Sequence, residues 1–314
     1  MSSIVNSSTY LQGASLVIHK EYSNSASEKT LQYNKLFNSY EGDDERRFVQ
    51  FLNLVGFGTL FLRPEGQAPH FDTPSEGNRY QVTYRTWALG YRVTKEMMLE
   101  DPKRIIKQLP KQLRYSSDQT KERLFWSILN YAFSAAVPYA DGQPLCSYNH
   151  PLQGASSVPG VNSYSNYLGN APFTVETAQE AQYLMVTIPN DRALLTTRRP
   201  ERLVYPIGMH QVALEVTGSG YRPGENTNSV NVAGGSFDLM PTDYLNAPLN
   251  GPFPWFVAAP MGQPGDPGHS MFYSIKYDTQ KSNVDPYTES ILHKTEFREI
   301  HGVVDARGVV GSAG

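Results

Sequence analysis

A strand-like run that leads into a long helical pattern constrains the fold of this chain most. Residues 79–87 alternate polar with aromatic or β-branched side chains, and the pattern continues to Thr94. Such alternation predicts a solvent-exposed β arm. The helical period that follows, from Asp101 to about Ala136, predicts a helix that spans roughly 50 Å at 1.5 Å per residue. So long an element with an exposed arm is difficult to bury within one subunit, so we expect an arm that requires neighbours.

The segment before this run predicts that the arm goes out and comes back. Residues 48–62 form the most apolar window, and two glycines within it disfavour a helix. Pro and Gly then mark turns across residues 64–78. We expect one strand before the Gly77–Asn78 region and one after it. Because an isolated hairpin is only marginally stable, it should lie across a neighbouring subunit. The aromatic side chains expected to make that contact are Tyr80, Tyr84, Trp87 and Tyr91.

The long helical pattern contains a predicted break and a run of basic residues. Pro102 suits a first helical turn, whereas Pro110 predicts a kink or interruption near 106–110. Five basic residues and no acidic one lie between positions 103 and 114. Either they form a solvated face, or they contact phosphates or the acidic surface of a neighbour. These basic residues are Lys103, Arg104, Lys107, Lys111 and Arg114.

The remaining patterns predict a mixture of helices and strands. Residues 1–45 are rich in Ser and Asn, which favours either an extended arm that is ordered only against a support or a disordered tail. Thr174 is the expected N-cap of a helix that buries Val175, Ala178, Ala181, Met185 and Ile188. A short helix is expected over 209–216, strands over 202–206, 238–245, 255–259 and 293–304, and a flexible or edge-like tail over 308–314.

Composition excludes several classes of protein. The chain has 314 residues and a formal net charge of −3, so it lacks the basic signature of a nucleic-acid-binding protein. Its one cysteine excludes an intrachain disulfide and fits a reducing cytoplasm. It has neither a signal-peptide pattern nor an apolar run long enough to cross a membrane. The 20 tyrosines suit either large contact surfaces or a β-rich monomer.

The sequence carries little catalytic chemistry. Its seven histidines are scattered without metal-ligand spacing, and no glycine-rich stretch matches a phosphate or dinucleotide motif. We therefore predict no metal, no cofactor and no catalytic residue. His150 and Cys146 lie four residues apart in a turn, which does not force them into contact. A satisfied structural histidine is the simpler interpretation of His150; a hydrolase that uses His150 and Asp141 is the alternative.

Taken in order, the motifs resemble those of the major capsid proteins of tailed bacteriophages, which have the HK97-type fold. Tyr91-Arg-Val-Thr-Lys-Glu96 is similar to the family's transition from extended loop to spine helix. Asp141-Gly-Gln-Pro-Leu-Cys-Ser-Tyr-Asn-His-Pro-Leu152 is similar to its D-G-x-x-L-F-S-x-x-H-P-L segment. Arg202-Leu-Val-Tyr-Pro206 resembles a strand of the family, and Asp305-Ala-Arg-Gly308 its closing D-x-R-G stretch. The resemblance covers about residues 45–312.

The resemblance implies an α+β, HK97-like capsid protein without catalytic residues. Its function would be to self-assemble, as hexamers and pentamers, into an icosahedral head that encloses double-stranded DNA without sequence specificity. Implied partners are a portal protein, a separate scaffolding protein and a decoration protein, with no membrane. The implied location is the virion capsid, assembled in the cytoplasm of the host bacterium. The implied parts are an N-terminal arm (1–50), an extended β loop (51–96), a peripheral domain with a long spine helix (97–140), an axial domain (141–284), and a return strand with C-terminal tail (285–314).

Two departures from the family refine this expectation. The name-giving phage crosslinks its subunits through a lysine on the extended loop, but no lysine occurs between Lys35 and Lys95 here. Only about 45 residues precede the loop, too few for a fused scaffolding domain, which is why a separate scaffold is expected. The alternatives are an encapsulin-type nanocompartment shell, which has the same fold, and another virion component such as a decoration or tail-tube protein.

Overall fold

The fold was analysed in a computed structural model. It describes residues 18, 20–23, 31–41, 47–100, 105–154, 158–196, 198–222, 229–248, 251–260, 272–285, 287–303 and 305–314, with only the backbone at a few strand positions such as Tyr80. Pro102, Lys103 and Arg104 lie outside the described residues, as does most of the predicted N-terminal arm.

Twelve strands and four α-helices have described bounds, and residues 20–23 are also helical. The strands are β1 (Asn38–Glu41), β2 (Phe48–Val55), β3 (Ser75–Thr83), β4 (Arg85–Val93), β5 (His150–Pro151), β6 (Ser163–Tyr164), β7 (Arg202–Pro206), β8 (Asp238–Thr242), β9 (Trp255–Ala258), β10 (Phe272–Asp285), β11 (Ser290–Val303) and β12 (Val309–Ser312). The helices are α1 (Lys95–Leu99), α2 (Leu109–Asn130), α3 (Val175–Thr187) and α4 (His210–Gly218). Short 3-10 turns cover Gln32–Lys35, Ile105–Lys107, Ile207–Met209 and Ala306–Gly308.

The arm is a separate antiparallel pair of β2 and β3. The pairing runs from Phe48 opposite Thr83 to Val55 opposite Ser75, with an irregularity between Leu52 and Leu54. The chain reverses direction across residues 56–74, which we call the arm tip. The prediction of a reversal near Gly77–Asn78 was wrong, since both residues lie inside β3. Two-stranded pairing was predicted correctly, but glycine marks only where a turn is allowed.

The second half of the alternating run belongs to the body of the subunit. Strand β4 pairs antiparallel with β11, from Arg85 opposite Glu299 to Val93 opposite Ile291. It lies at one end of a four-stranded sheet ordered β1-β10-β11-β4. The arm therefore ends at β3, and the predicted arm was too long. Alternation identifies a strand with two unlike faces but does not identify its hydrogen-bonding partner.

The long helix is shorter than predicted. Helix α2 has 22 residues, or about 33 Å, and Pro110 occupies its first turn, where the missing N–H is not needed. The predicted interruption near 106–110 is therefore where this helix begins. Beyond Asn130 the chain continues in turns. The apolar period that suggested a helix to Ala136 includes Tyr131 and Ala135, but both are exposed in the turns after α2.

Residues 31–37 of the N-terminal segment lie on helix α2, and the residues that follow them pair as β1 with β10. Tyr33 and Phe37 are buried against Phe125, with ring centroids 4.2 and 5.7 Å away. The Glu122 carboxylate accepts backbone hydrogen bonds from Gln32 at 2.5 Å and Tyr33 at 3.3 Å. Burial raises the pKa of Glu122, although these hydrogen bonds and one from Trp126 oppose the rise.

A second four-stranded sheet, ordered β12-β9-β7-β8, forms the other half of the body. Helix α3 lies against β12. The Thr174 hydroxyl caps α3 by accepting the Thr177 N–H at 3.3 Å, as predicted, and the five predicted apolar positions are buried. Strand β12 lies at the edge of this sheet, which agrees with the edge-like alternative for the tail, and it is buried throughout. Strand β10 lies almost entirely in the range predicted for the axial domain, but it pairs with β11 in the first sheet.

Candidate assembly surfaces and a buried ionic cluster

The arm tip carries the most exposed apolar side chains of the described chain. Leu60 is 100% exposed and Leu62 is 96% exposed. The tip nevertheless has internal structure, because the Gly58 N–H donates to the Asp72 carboxylate at 3.0 Å. A contiguous exposed apolar patch of this kind marks an interaction site. The other large apolar members of the patch are Phe57, Phe61 and Phe71.

The four aromatic residues predicted to contact a neighbour have different environments. The Trp87 indole is 38% exposed and donates to the Glu299 carboxylate at 3.2 Å. Tyr84 lies under the Arg298 guanidinium, 5.1 Å from the ring centroid. Tyr91 is half-buried, and none of the described residues hydrogen-bonds its buried hydroxyl. Burial raises the pKa of Tyr91 to about 12. For Tyr80 only the backbone is described, and it pairs with Phe51 in the arm.

The predicted basic face is partly neutralised within the chain. Arg114 donates to Asp118 at 3.1 Å and lies over the Tyr22 ring at 5.4 Å. Lys111 forms an ion pair with Glu21 at 3.6 Å, although its side chain is still 55% exposed. Lys107 is exposed at the end of a 3-10 turn. Of the predicted basic residues that the structure describes, Lys107 and Lys111 remain accessible to a partner.

His150 is a buried histidine with both ring nitrogens bonded. Its Nδ1 lies 2.6 Å from the Asp141 carboxylate, and its Nε2 lies 3.1 Å from Asn166 Oδ1. The Asn166 amide nitrogen donates to the carbonyls of Leu145 and Ala306, so its oxygen must accept and His150 Nε2 must donate. Asp141 and His150 thus meet, as the hydrolase alternative required. The imidazole is fully buried and has no nitrogen left for a substrate proton, so its arrangement is that of a satisfied structural histidine.

Four charged residues next to this histidine form a buried ionic cluster. Asp305 accepts a hydrogen bond from Arg198 at 2.5 Å, and Arg307 pairs with Asp191 and lies 3.7 Å from Asp305. Burial alone would raise the pKa of Asp305, but the charges of Arg307 and Arg198 outweigh it and lower the pKa to about 2. The guanidinium of Arg307 also lies over the ring of Tyr164, which stacks on His150. The cluster joins the segment after α3 to the segment before β12.

Sequence reasoning found only part of this cluster. Asp305 and Arg307 were noted as a motif that resembles one in a known family, whereas Asp191 and Arg198 were not noted at all. Both lie in a stretch without a periodic pattern, and their partners are more than 100 residues away. Charged residues are rarely buried without a partner, but the partner of each can be identified only from the fold.

The subunit thus combines a buried ionic cluster with an arm tip whose apolar side chains are exposed. In the described parts of the chain, no cluster of His, Cys, Asp and Glu side chains has a geometry suited to a metal ion, and no helix meets the length and hydropathy needed to cross a membrane. Residues 79–312 match the family described as phage capsid protein. The chain therefore belongs to the phage capsid protein family.

Solved structures agree on the fold. The mature capsid of bacteriophage PhiM1 is similar to this chain with a TM-score of 0.58 and 10% identity, over 90% of this chain and 86% of that chain. The capsid of bacteriophage JBD30 is similar with a TM-score of 0.54 and 14% identity, over 69% of this chain and 92% of that chain. The capsid of a native GTA particle is similar with a TM-score of 0.53 and 11% identity, over 91% of this chain and 90% of that chain. No curated protein matches the chain.

These findings confirm the predicted class. The chain has the α+β, HK97-type fold and a structural role as a major capsid protein of the virion capsid, where its copies assemble. They do not favour the encapsulin alternative, because the family and the solved structures named above are capsids of phages or of a GTA particle.

Proposed function

We propose that this protein tiles an icosahedral phage head as hexamers and pentamers around packaged double-stranded DNA. The observation that carries the proposal is the arm tip, whose five large apolar side chains face solvent in a single subunit. Full burial of one such side chain contributes about 1.5–3 kcal/mol. Burial of these side chains on a neighbouring subunit would therefore supply free energy for a contact that is repeated between subunits.

The two sheets support a division into a peripheral and an axial unit. The peripheral unit consists of the sheet β1-β10-β11-β4 with helix α2 along it. The axial unit consists of the sheet β12-β9-β7-β8 with α3 and α4, which share one apolar core. One apolar core that contains Phe125 of α2, Val204 of β7 and Val303 of β11 joins the two units, so we expect them to move as one body when the subunits pack.

Contact with other components of the head remains part of the proposal. The accessible Lys107 and Lys111 suit phosphates without base recognition, because charge on the DNA backbone is independent of sequence. A neighbouring acidic surface would suit the same two lysines. A portal protein, a separate scaffolding protein and a decoration protein complete the expected set of partners. Assembly is expected in the cytoplasm of the host bacterium.

Electron microscopy of particles formed by the protein, with a matched pair of tip variants, tests this function. Leu60→Ser with Leu62→Ser removes the most exposed apolar side chains of the tip and should reduce particle yield at least tenfold while leaving a folded subunit. Glu65→Gln changes an exposed polar residue of the same tip and should assemble like wild type. Equal yields from all three proteins would refute docking through the apolar tip.

A further inference from the structure

A second feature of the arm concerns its attachment to its own subunit. The Arg192 guanidinium donates to three acceptors at the ends of the arm tip. They are the Gly56 carbonyl at 3.0 Å, the Thr73 carbonyl at 3.1 Å and the Asp72 carboxylate at 3.2 Å. The Arg192 side chain is only 11% exposed. Three acceptors in different directions suit the planar fork of arginine and would not all be reached by lysine.

The turn that carries Arg192 is rigid. The Asn190 side-chain oxygen accepts the N–H groups of Arg192 and Leu194, each at 2.9 Å, and the Asn190 N–H donates to the Leu194 carbonyl at 2.7 Å. Ala193 adopts a positive φ of 63° within this turn. A non-glycine residue is uncommon in that conformation and persists only where its surroundings fix it. The turn therefore presents Arg192 in a defined direction.

The turn is also anchored to the body at its next residue. Asp191 pairs with the buried Arg307, and it accepts the Gln153 N–H at 3.2 Å. Beside it, Gly154 leaves room for the end of the arm, since a Cβ at Gly154 would lie 2.6 Å from Val55 and 2.9 Å from the Asp191 carbonyl. Val55, the last residue of β2, is fully buried at this seat.

We propose that the Asn190–Leu194 turn is an intramolecular latch, in which Arg192 is the residue that holds the ends of the arm tip against their own subunit. The contact connects the direction of the arm to the ionic cluster through two adjacent side chains. It fixes the ends of the tip while leaving the apolar side chains exposed. On the proposed function, an arm aimed in advance loses less conformational freedom when it docks on a neighbour.

Hydrogen exchange of the free, folded subunit tests the latch without any need for particles. The reporter is the Gly58 amide, which donates to Asp72, together with peptides that cover 56–74. Arg192→Ala and Arg192→Gln should each speed exchange of the reporter about tenfold or more, because both remove the charged hydrogen bonds to the ends of the arm tip while leaving Asp72 in place. Arg192→Lys should give an intermediate rate.

The control is Arg222→Ala, which removes an arginine that pairs with Glu176 at 3.4 Å on another surface. It should leave exchange across 56–74 unchanged. Arg192→Gln keeps most of the length of the side chain, so it keeps the test valid if Arg192→Ala fails to fold. Wild-type exchange in the folded Arg192→Gln and Arg192→Lys variants would overturn the latch. Because the readout comes from the free subunit, a failure of tip docking between subunits would leave this result unaffected.

Discussion

The Arg198 guanidinium donates a hydrogen bond to the Asp305 carboxylate at 2.5 Å, although 107 residues separate them in sequence. Asp305 precedes the 3-10 turn that leads into the buried strand β12, whereas Arg198 lies in the segment between α3 and β7. This pair, with Arg307 and Asp191, closes the C-terminal end of the chain onto the body. The cluster is the part of the interior whose charge chemistry can be tested most directly.

Replacing Asp305 by Asn should destabilise the subunit strongly. The change removes one negative charge from beside the buried Arg198 and Arg307. Loss of one partner of a buried ion pair lowers the free energy of unfolding by about 3–5 kcal/mol. Urea unfolding of the free subunit measures the loss. Glu296→Gln is the matched control, because its pair with Lys294 is largely exposed and such pairs contribute about 0–1 kcal/mol. Equal unfolding midpoints for the two variants would contradict the structural role of the cluster.

The same carboxylate should make stability depend on acid pH. The pKa of Asp305 falls from its ordinary value of 3.8 to about 2, so its charged form stabilises the folded state. A lowered pKa gives a contribution that is fully present above about pH 4 and is lost as the pH falls through 2. This contribution to stability is about 2 kcal/mol, because each unit by which the pKa is lowered corresponds to about 1.36 kcal/mol. Wild type should lose more stability than Asp305→Asn between pH 5 and pH 2; parallel losses would exclude Asp305 as the source.

Hydrogen exchange should divide the predicted arm into two parts. Residues 85–93 pair with β11 and should be protected in the free subunit, whereas the solvent-exposed middle of the arm tip, residues 60–71, should exchange quickly there. Assembly should then protect the tip. Comparing free subunits with particles measures both effects. A tip with the same exchange rate in both states would mean that it contacts no neighbour.

Particles should contain no covalent links between subunits. The chain has one cysteine, Cys146, which is buried, and burial raises the pKa of its thiol. The segment from 36 to 94 also has no lysine that could form an isopeptide bond. Boiling in detergent, with and without reductant, should release a single species near 35.1 kDa. A ladder of larger species would disprove this prediction.

The two accessible lysines at the start of α2 should matter for assembly more than for folding. Lys107→Gln with Lys111→Gln removes exposed charge and one ion pair with Glu21, so thermal unfolding should change little. Particle yield should fall, and its sensitivity to salt should change if the lysines contact phosphates. Lys281→Gln, at an exposed lysine of strand β10, is the control. Wild-type yield at every salt concentration would identify this surface as solvated only.

The sequence alone determined the features that depend on neighbouring residues. The cap at Thr174 and the buried face of α3 followed from side chains within one or two helical turns of one another. The strand at 202–206 and the bonded state of His150 were also predicted correctly. Ordered motifs then identified the family, although each motif by itself was weak.

Only the tertiary structure decided which distant elements meet. Alternation could not assign β4 to β11, since a pleated strand accepts any partner with a matching face. Periodicity could not locate the end of α2, because apolar residues continue at helical spacing into the turns beyond it. Asp191 and Arg192 are adjacent and carry no motif, yet one joins the ionic cluster and the other holds the arm. Ion pairs between residues so far apart in sequence leave no local pattern, because the fold alone brings their charges together.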